Sequence, residues 1–270
     1  MNKYSRNMRV SAITKMLIEN PNKVTNLNNF VDLLGAAKST ISEDIVVIKD
    51  TLLRMNAGKI DTVSGAAGGV KYICGLSKEE IKKFTEQLCA IMKDKERIIP
   101  GNFLYLTDIM FNPQIIHKAA VILASSFINE NVDCVVTVET KGVPLAYEVA
   151  KLLNVKLVVV RRENKVTEGS TVSINYISGS TKKIQNMSLS KRALKKHSRC
   201  IFIDDFMKGG GTASGIIDLL KEFDSELCGI GILVDNIEMD KKLVRDYTAI
   251  INFNGFDENG EANLTPSQKL

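Results

Sequence analysis

The segment IFIDDFMKGGGTASG, residues 201–215, gathers residue types that suit one kind of chemistry. An apolar run delivers two adjacent carboxylates, Asp204 and Asp205. Lys208 and the glycines Gly209, Gly210 and Gly211 follow, and Thr212 and Ala213 open a helical pattern. Glycines let several backbone N–H groups converge on one anion, and a helix N-terminus favours negative charge there. A carboxylate beside such a loop accepts hydrogen bonds from sugar hydroxyls, so the string reads as a sugar-phosphate site. The bland alternative is an ordinary strand-to-helix turn with an acidic edge.

A second piece lies upstream in VVTVETKGVPLAYEVA. A strand ends at Thr137-Val138, the loop Glu139-Thr140-Lys141-Gly142 follows, and a helix starts near Pro144. Alone this is a plain strand-loop-helix, whose loop carries Lys141 and Gly142 ahead of the acidic pair. These loops need strands to hold them. From about Pro100, strand-like runs (VDCVVTV, KLVVVRR, RCIFIDD, ELCGIGILVDN) alternate with helical ones (PLAYEVAKLL, TASGIIDLLKEF), which predicts a mostly parallel sheet with helices on both faces. The polar stretch from Glu163 to Leu189 suits an excursion outside that sheet, and the polar tail after Asn254 is expected to fray.

The first 75 residues follow another plan. Val10, Ile13, Met16 and Leu17 recur at helical spacing until Asn20-Pro21. A second helix runs from Leu27 to Leu34 and stops at Gly35. A third begins near Lys38-Ser39 with Ile41, Ile45, Ile48 and Leu52 as its apolar stripe, and Ser39, Ser42 and Glu43 offer cap chemistry. Extended residues on both sides of GAAGG then make a hairpin. Three helices and a hairpin are the winged-helix order. The segment from Ser77 to Lys95 is a capped amphipathic helix placed to link two domains, giving an organisation of 1–75, 76–99 and 100–270.

With 44% hydrophobic and 25% charged positions, the chain has the composition of a soluble two-domain protein. The net charge of +5 is modest, but the first 74 residues hold ten basic and six acidic side chains, so most of the excess sits there. The five cysteines lack C-x-x-C spacing and read as reduced core residues of a cytoplasmic protein. His117 and His197, apart from each other and from acidic neighbours in sequence, make no metal site or triad. No apolar run is long enough for a membrane helix.

The order of hydrophobic residues, two acids, short loop and Gly-Thr in 201–215 resembles the phosphoribosyl pyrophosphate signature of type I phosphoribosyltransferases. Lys208 and Gly209 stand where those enzymes carry small hydroxyl residues. The strings AAKSTISED, SGAAGGVKYI, FLYLTDIM, ENKVTEGSTVSINYISGS, MSLSKRAL and IDDFMKGGGT resemble the purine operon repressors of Gram-positive bacteria, from the first helix to about residue 250. The resemblance implies a homodimer that represses purine genes from operator DNA. It further implies phosphoribosyl pyrophosphate as inducer, with or without Mg²⁺, guanosine tetraphosphate-type alarmones competing for the same pocket, and no transferase activity.

Carried over by position, Asp204, Asp205, Lys208, Gly209, Gly210, Gly211, Thr212 and Ala213 would hold ribose and phosphate, with Thr140, Lys141 and Gly142 on the pyrophosphate. The excursion corresponds to the enzymes' substrate-covering loop, bringing Arg161, Arg162 and Lys165. Phe206 and Phe103 would stack on a purine base or serve as core aromatics. The family's usual residues at positions 209 and 102 are alanine and glycine, where this chain has Gly209 and Asn102. In a winged helix, Lys38, Ser39, Thr40, Ser42 and Glu43 would face the major groove, and the wing, flanked by Lys59 and Lys71, would lie along the DNA backbone or in a minor groove. An active purine phosphoribosyltransferase with an accessory domain and an RNA-binding antiterminator are the competing readings; the latter lacks an aromatic stacking platform.

Overall fold

The structure is a computed structural model that describes residues 4–101, 103–163, 166–177, 183–239 and 241–270. Two compact units share the chain: the smaller takes the residues up to Ser77 together with Leu152–Asn154, and the larger takes Lys78–Lys151 and Val155–Leu270.

The smaller unit contains α1 (Arg6–Glu19), α2 (Leu27–Leu34), α3 (Lys38–Arg54) and an antiparallel hairpin of β1 (Lys59–Val63) and β2 (Gly69–Ile73). The Ser5 side chain caps α1 and that of Asn26 caps α2, which stops at Gly35 in the left-handed region with φ 60°. The apolar stripe of α3 is buried as its spacing requires, against Ile13, Leu17, Phe30 and Leu34. One expectation is corrected: α3 has no side-chain cap. Ala37 is its N-cap, Ser39 lies inside the first turn, and the Ser42 hydroxyl donates to the Lys38 carbonyl at 3.0 Å. The chain before α2 joins the hairpin through Thr25 and Val70, whose N–H and C=O groups exchange bonds of 2.8 and 3.0 Å. That approach dictates Gly69, where a Cβ would lie 2.2 Å from the Thr25 carbonyl oxygen.

The larger unit begins with α4 (Lys78–Met92), the two-residue strands β3 (Ile98–Ile99) and β4 (Phe103–Leu104), α5 (Thr107–Met110) and α6 (Pro113–Phe127). The expected linker helix, α4, packs on the sheet of this unit, because Phe84, Leu88, Cys89 and Met92 form a buried stripe. There follow β5 (Cys134–Val138), α7 (Val143–Leu153), β6 (Lys156–Val160), β7 (Thr171–Ile177), β8 (Ile184–Ser190), β9 (Arg199–Met207), α8 (Gly211–Lys221), β10 (Glu226–Asn236), β11 (Thr248–Phe256) and β12 (Ala262–Pro266). The central sheet has the order β12-β11-β10-β9-β5-β6, parallel except for β12.

Alternation along β10 sends Ile230 and Ile232 into the cluster containing Ile216 and Leu219 of α8. Gly229 and Gly231 abut Phe127 of α6, so helices cover both faces as expected. The stretch 163–189 does leave the central sheet. Its described part is the antiparallel pair β7–β8, anchored to the core by Tyr176, Met187 and Leu189. The tail does not fray: Ala262 and Leu264 bury alternate side chains, and Asp257 Oδ1 accepts from the Asn259 and Glu261 amides to turn the chain back. Among the described residues no helix is long and apolar enough to cross a membrane.

Candidate functional site

Parallel strands end together, so the loops after β5 and β9, neighbours in the sheet, meet at one edge. They line a cavity of about 680 Å³. Twelve of the thirteen residues expected to hold a ligand border it: Phe103, Thr140, Lys141, Asp204, Asp205, Phe206, Lys208, Gly209, Gly210, Gly211, Thr212 and Ala213. Gly142 does not, yet it makes the site possible. A Cβ there would stand 2.7 Å from Asp204 Oδ1 and 2.9 Å from Thr137 Oγ1, so its bareness leaves room for the carboxylate.

The phosphate loop is shaped by Gly210, with φ 76°. As N-cap of α8 it offers no side-chain acceptor, which leaves the first-turn amides open to an anion. From outside, Leu243 N donates to the Gly209 carbonyl at 3.1 Å. Burial, and next the negative charge of Asp205, push the Asp204 carboxyl well above the usual carboxylate range. The Asp204 carboxyl is therefore eased by a ligand that donates hydrogen bonds to it.

Sequence reasoning gave Glu139 no role. It lines the cavity and accepts from Arg161 Nη1 at 3.0 Å and from the Arg162 amide at 2.9 Å, tying the β5 loop to the end of β6. Its place two residues before Lys141 was the available signal. Arg161 is further held by Glu168 at 3.3 Å, whereas Arg162 lines the cavity. Lys165 and Asn102 lie outside the described residues. Phe103 is 61% exposed and borders the cavity, so it is no core aromatic. Phe206 borders the cavity too and packs against Phe253, with ring centroids 6.2 Å apart.

In the smaller unit Lys38, Ser39, Ser42 and Glu43 are exposed on the first turns of α3 and Thr40 is half-buried. Lys59 and Lys71 are not at the wing tip. Lys59 pairs with Ile73 at the open end of the hairpin and lies 3.2 Å from Asp61, and Lys71 donates to Asn22 Oδ1 at 3.1 Å. The tip, residues 64–68, carries no charged side chain.

The cysteines are all free; Cys134 and Cys200 lie side by side on β5 and β9 with sulfurs 3.3 Å apart. His117 is not isolated, since its Nδ1 lies 2.8 Å from Glu148 Oε1 on α7, a neighbour 31 positions away that sequence spacing hides. Among the described residues no three His, Cys, Asp or Glu side chains come together as a metal site.

Residues 5–74 match the family described as bacterial purine repressor, N-terminal, and residues 107–263 match the phosphoribosyl transferase domain. The purine biosynthesis transcriptional repressor of Bacillus subtilis is 46% identical over 249 residues, 92% of this chain and 87% of that protein. The purine biosynthesis transcriptional activator of Lactococcus lactis is 38% identical over 252 residues, 93% of each. Among solved structures, adenine phosphoribosyltransferase of Thermoanaerobacter pseudethanolicus has a TM-score of 0.54 at 20% identity, over 62% of this chain and 99% of that one, a likeness of fold alone. With a repressor-type winged helix ahead of a phosphoribosyltransferase fold, and relatives matched over nearly their whole length, this chain belongs to the bacterial purine repressor family of transcriptional regulators.

Proposed function

We propose that the chain acts as a homodimer that binds operator DNA upstream of purine genes through α3 and the wing and represses them. Phosphoribosyl pyrophosphate in the cleft of the larger unit releases the DNA, and guanosine tetraphosphate-type nucleotides compete for that cleft and favour repression. The observation that carries this reading is the meeting of the acid pair, the glycine loop and Lys141 in one cavity. The carboxylates suit ribose hydroxyls, the loop and α8 suit a 5′-phosphate, and Lys141 with Arg162 suits the pyrophosphate. Mg²⁺ would arrive on the pyrophosphate oxygens, since the described residues supply no ligand set of their own. No transfer reaction is part of the proposal: Lys208 and Gly209 replace the small hydroxyl residues of the enzymes' loop.

An effector shifts DNA binding only if it has different affinities for the two states. Fluorescence anisotropy on DNA from upstream of the host's purine genes, titrated with the ligand at fixed salt, should show tight binding that the ligand reverses. Binding indifferent to the ligand, or pyrophosphate release from the ligand, Mg²⁺ and any purine base, would overturn the reading. Asp205→Ala, which removes a ribose-facing carboxylate, should bind the operator normally and ignore the inducer; release at wild-type inducer levels would show the site is misplaced.

Lys38→Ala should weaken binding to operator and to random duplex alike. If Lys38 contacts a phosphate, the slope of log affinity against log salt falls by about one. Loss confined to the operator would instead make Lys38 a base reader.

A further inference from the structure

We propose that the larger unit carries a second anion site, separate from the first, in a cleft between the end of β10 and residues 241–247, and that it takes a phosphate or pyrophosphate group. The cleft has a volume of about 580 Å³, and Lys241, Lys242, Arg245 and Lys269 converge on it around one acid, Asp235. Asp235 is fully buried and both its oxygens are occupied. Oδ1 holds Lys242, while Oδ2 accepts from the Tyr247 hydroxyl at 2.8 Å and lies 3.5 Å from Lys269 Nζ. The Lys269 ammonium also stands 3.4 Å over the Tyr247 ring.

This network fixes two of the cations and leaves the others uncompensated: among the described residues neither Lys241 nor Arg245 has an ion pair, and both are exposed. The lining thus holds three positive charges in excess, focused by a concave wall, and an arriving anion relieves their mutual repulsion. A compact, multiply charged group satisfies the Arg245 fork and the ammonium groups together, which a single carboxylate cannot.

The same segment walls the phosphate loop of the first site. Leu243 N bonds to the Gly209 carbonyl, and a Cβ at Gly210 would meet Val244 Cγ2 at 3.1 Å. An anion that orders residues 241–245 therefore acts on the backbone of the loop that faces the first cavity. The proposal rests on this geometry and not on which ligand the first cavity takes.

Trinitrobenzenesulfonate labelling of the full chain, read by peptide mass spectrometry with and without inorganic pyrophosphate, tests it. Simple occupancy predicts that Lys241 and Lys269 label about tenfold more slowly at pyrophosphate roughly ten times its dissociation constant. In Lys241→Ala/Arg245→Ala the protection of Lys269 should vanish, while Lys141 and Lys208 report the first cavity independently. Unchanged rates at Lys241 and Lys269, whatever happens at Lys141 and Lys208, would overturn the site, as would protection of Lys269 that survives in the double variant. Protection by random duplex DNA but not by pyrophosphate would overturn it in favour of a nucleic-acid contact.

Discussion

Gly142→Val is expected to lower affinity for phosphoribosyl pyrophosphate by about a hundredfold, near 3 kcal/mol, while operator binding survives. Residue 142 follows the cis peptide Glu139-Thr140 in the loop after β5 and sits behind Asp204, out of the cavity. Its first added carbon would come within 2.7 Å of Asp204 Oδ1 and 3.2 Å of the Asp204 Cα. The carboxylate can rotate away from such a contact; the β9 backbone, where Asp204 pairs with Ile232 of β10, cannot move without disturbing the sheet. The variant therefore yields by turning Asp204 out of its place beside Asp205, and valine's branches close the way back. Calorimetry with the ligand measures the loss, anisotropy on operator DNA checks the smaller unit, and a circular dichroism melt checks the fold. Should the melt show unfolding, Gly142→Ala supplies the same first carbon with less bulk. Wild-type ligand affinity in a folded variant would mean that the Asp204 carboxylate is not part of the site.

What the sequence made legible is what is local in the chain. The acid pair, glycine loop and helix start are contiguous, and the β5 loop is four residues long, so both phosphate-facing pieces could be read without knowing how they meet. The apolar stripe of α3 was readable because one face of one helix carries it. What escaped depends on partners distant in sequence. Glu139 earns its role from Arg161 and Arg162 across two parallel strands, and His117 finds Glu148 across two helices. The edge strand β12 lies within a polar tail, and the alternate burial of Ala262 and Leu264 against β11 marks it as a strand. The α3 cap was misread because three polar residues near a helix start suggest a cap whether or not their backbone is extended. Ala37, with ψ 150°, holds that position instead.

The same limit hides a buried ion pair of the smaller unit. Asp44, in the second turn of α3, is 1% exposed, and its carboxylate takes Arg9 of α1 at 2.7 and 3.3 Å. Arg9, 8% exposed, also donates to the Tyr4 carbonyl at 3.0 Å. Arg6 approaches at 3.5 Å, but its side chain is 59% exposed, and such pairs contribute little. Asp44→Ala would strand the Arg9 guanidinium between two helices. Removing one partner of a buried pair costs about 3–5 kcal/mol, comparable with the whole stability of a unit of this size. Operator binding should therefore be lost at every inducer concentration, with a fall in helical signal, while calorimetry still finds the ligand in the larger unit. Arg9→Met/Asp44→Leu should recover much of the fold, because apolar groups of similar volume replace a buried pair at little net cost. If Asp44→Ala melted and bound DNA like the wild type, the pair would add nothing to stability, and α3 would be held by its apolar stripe alone.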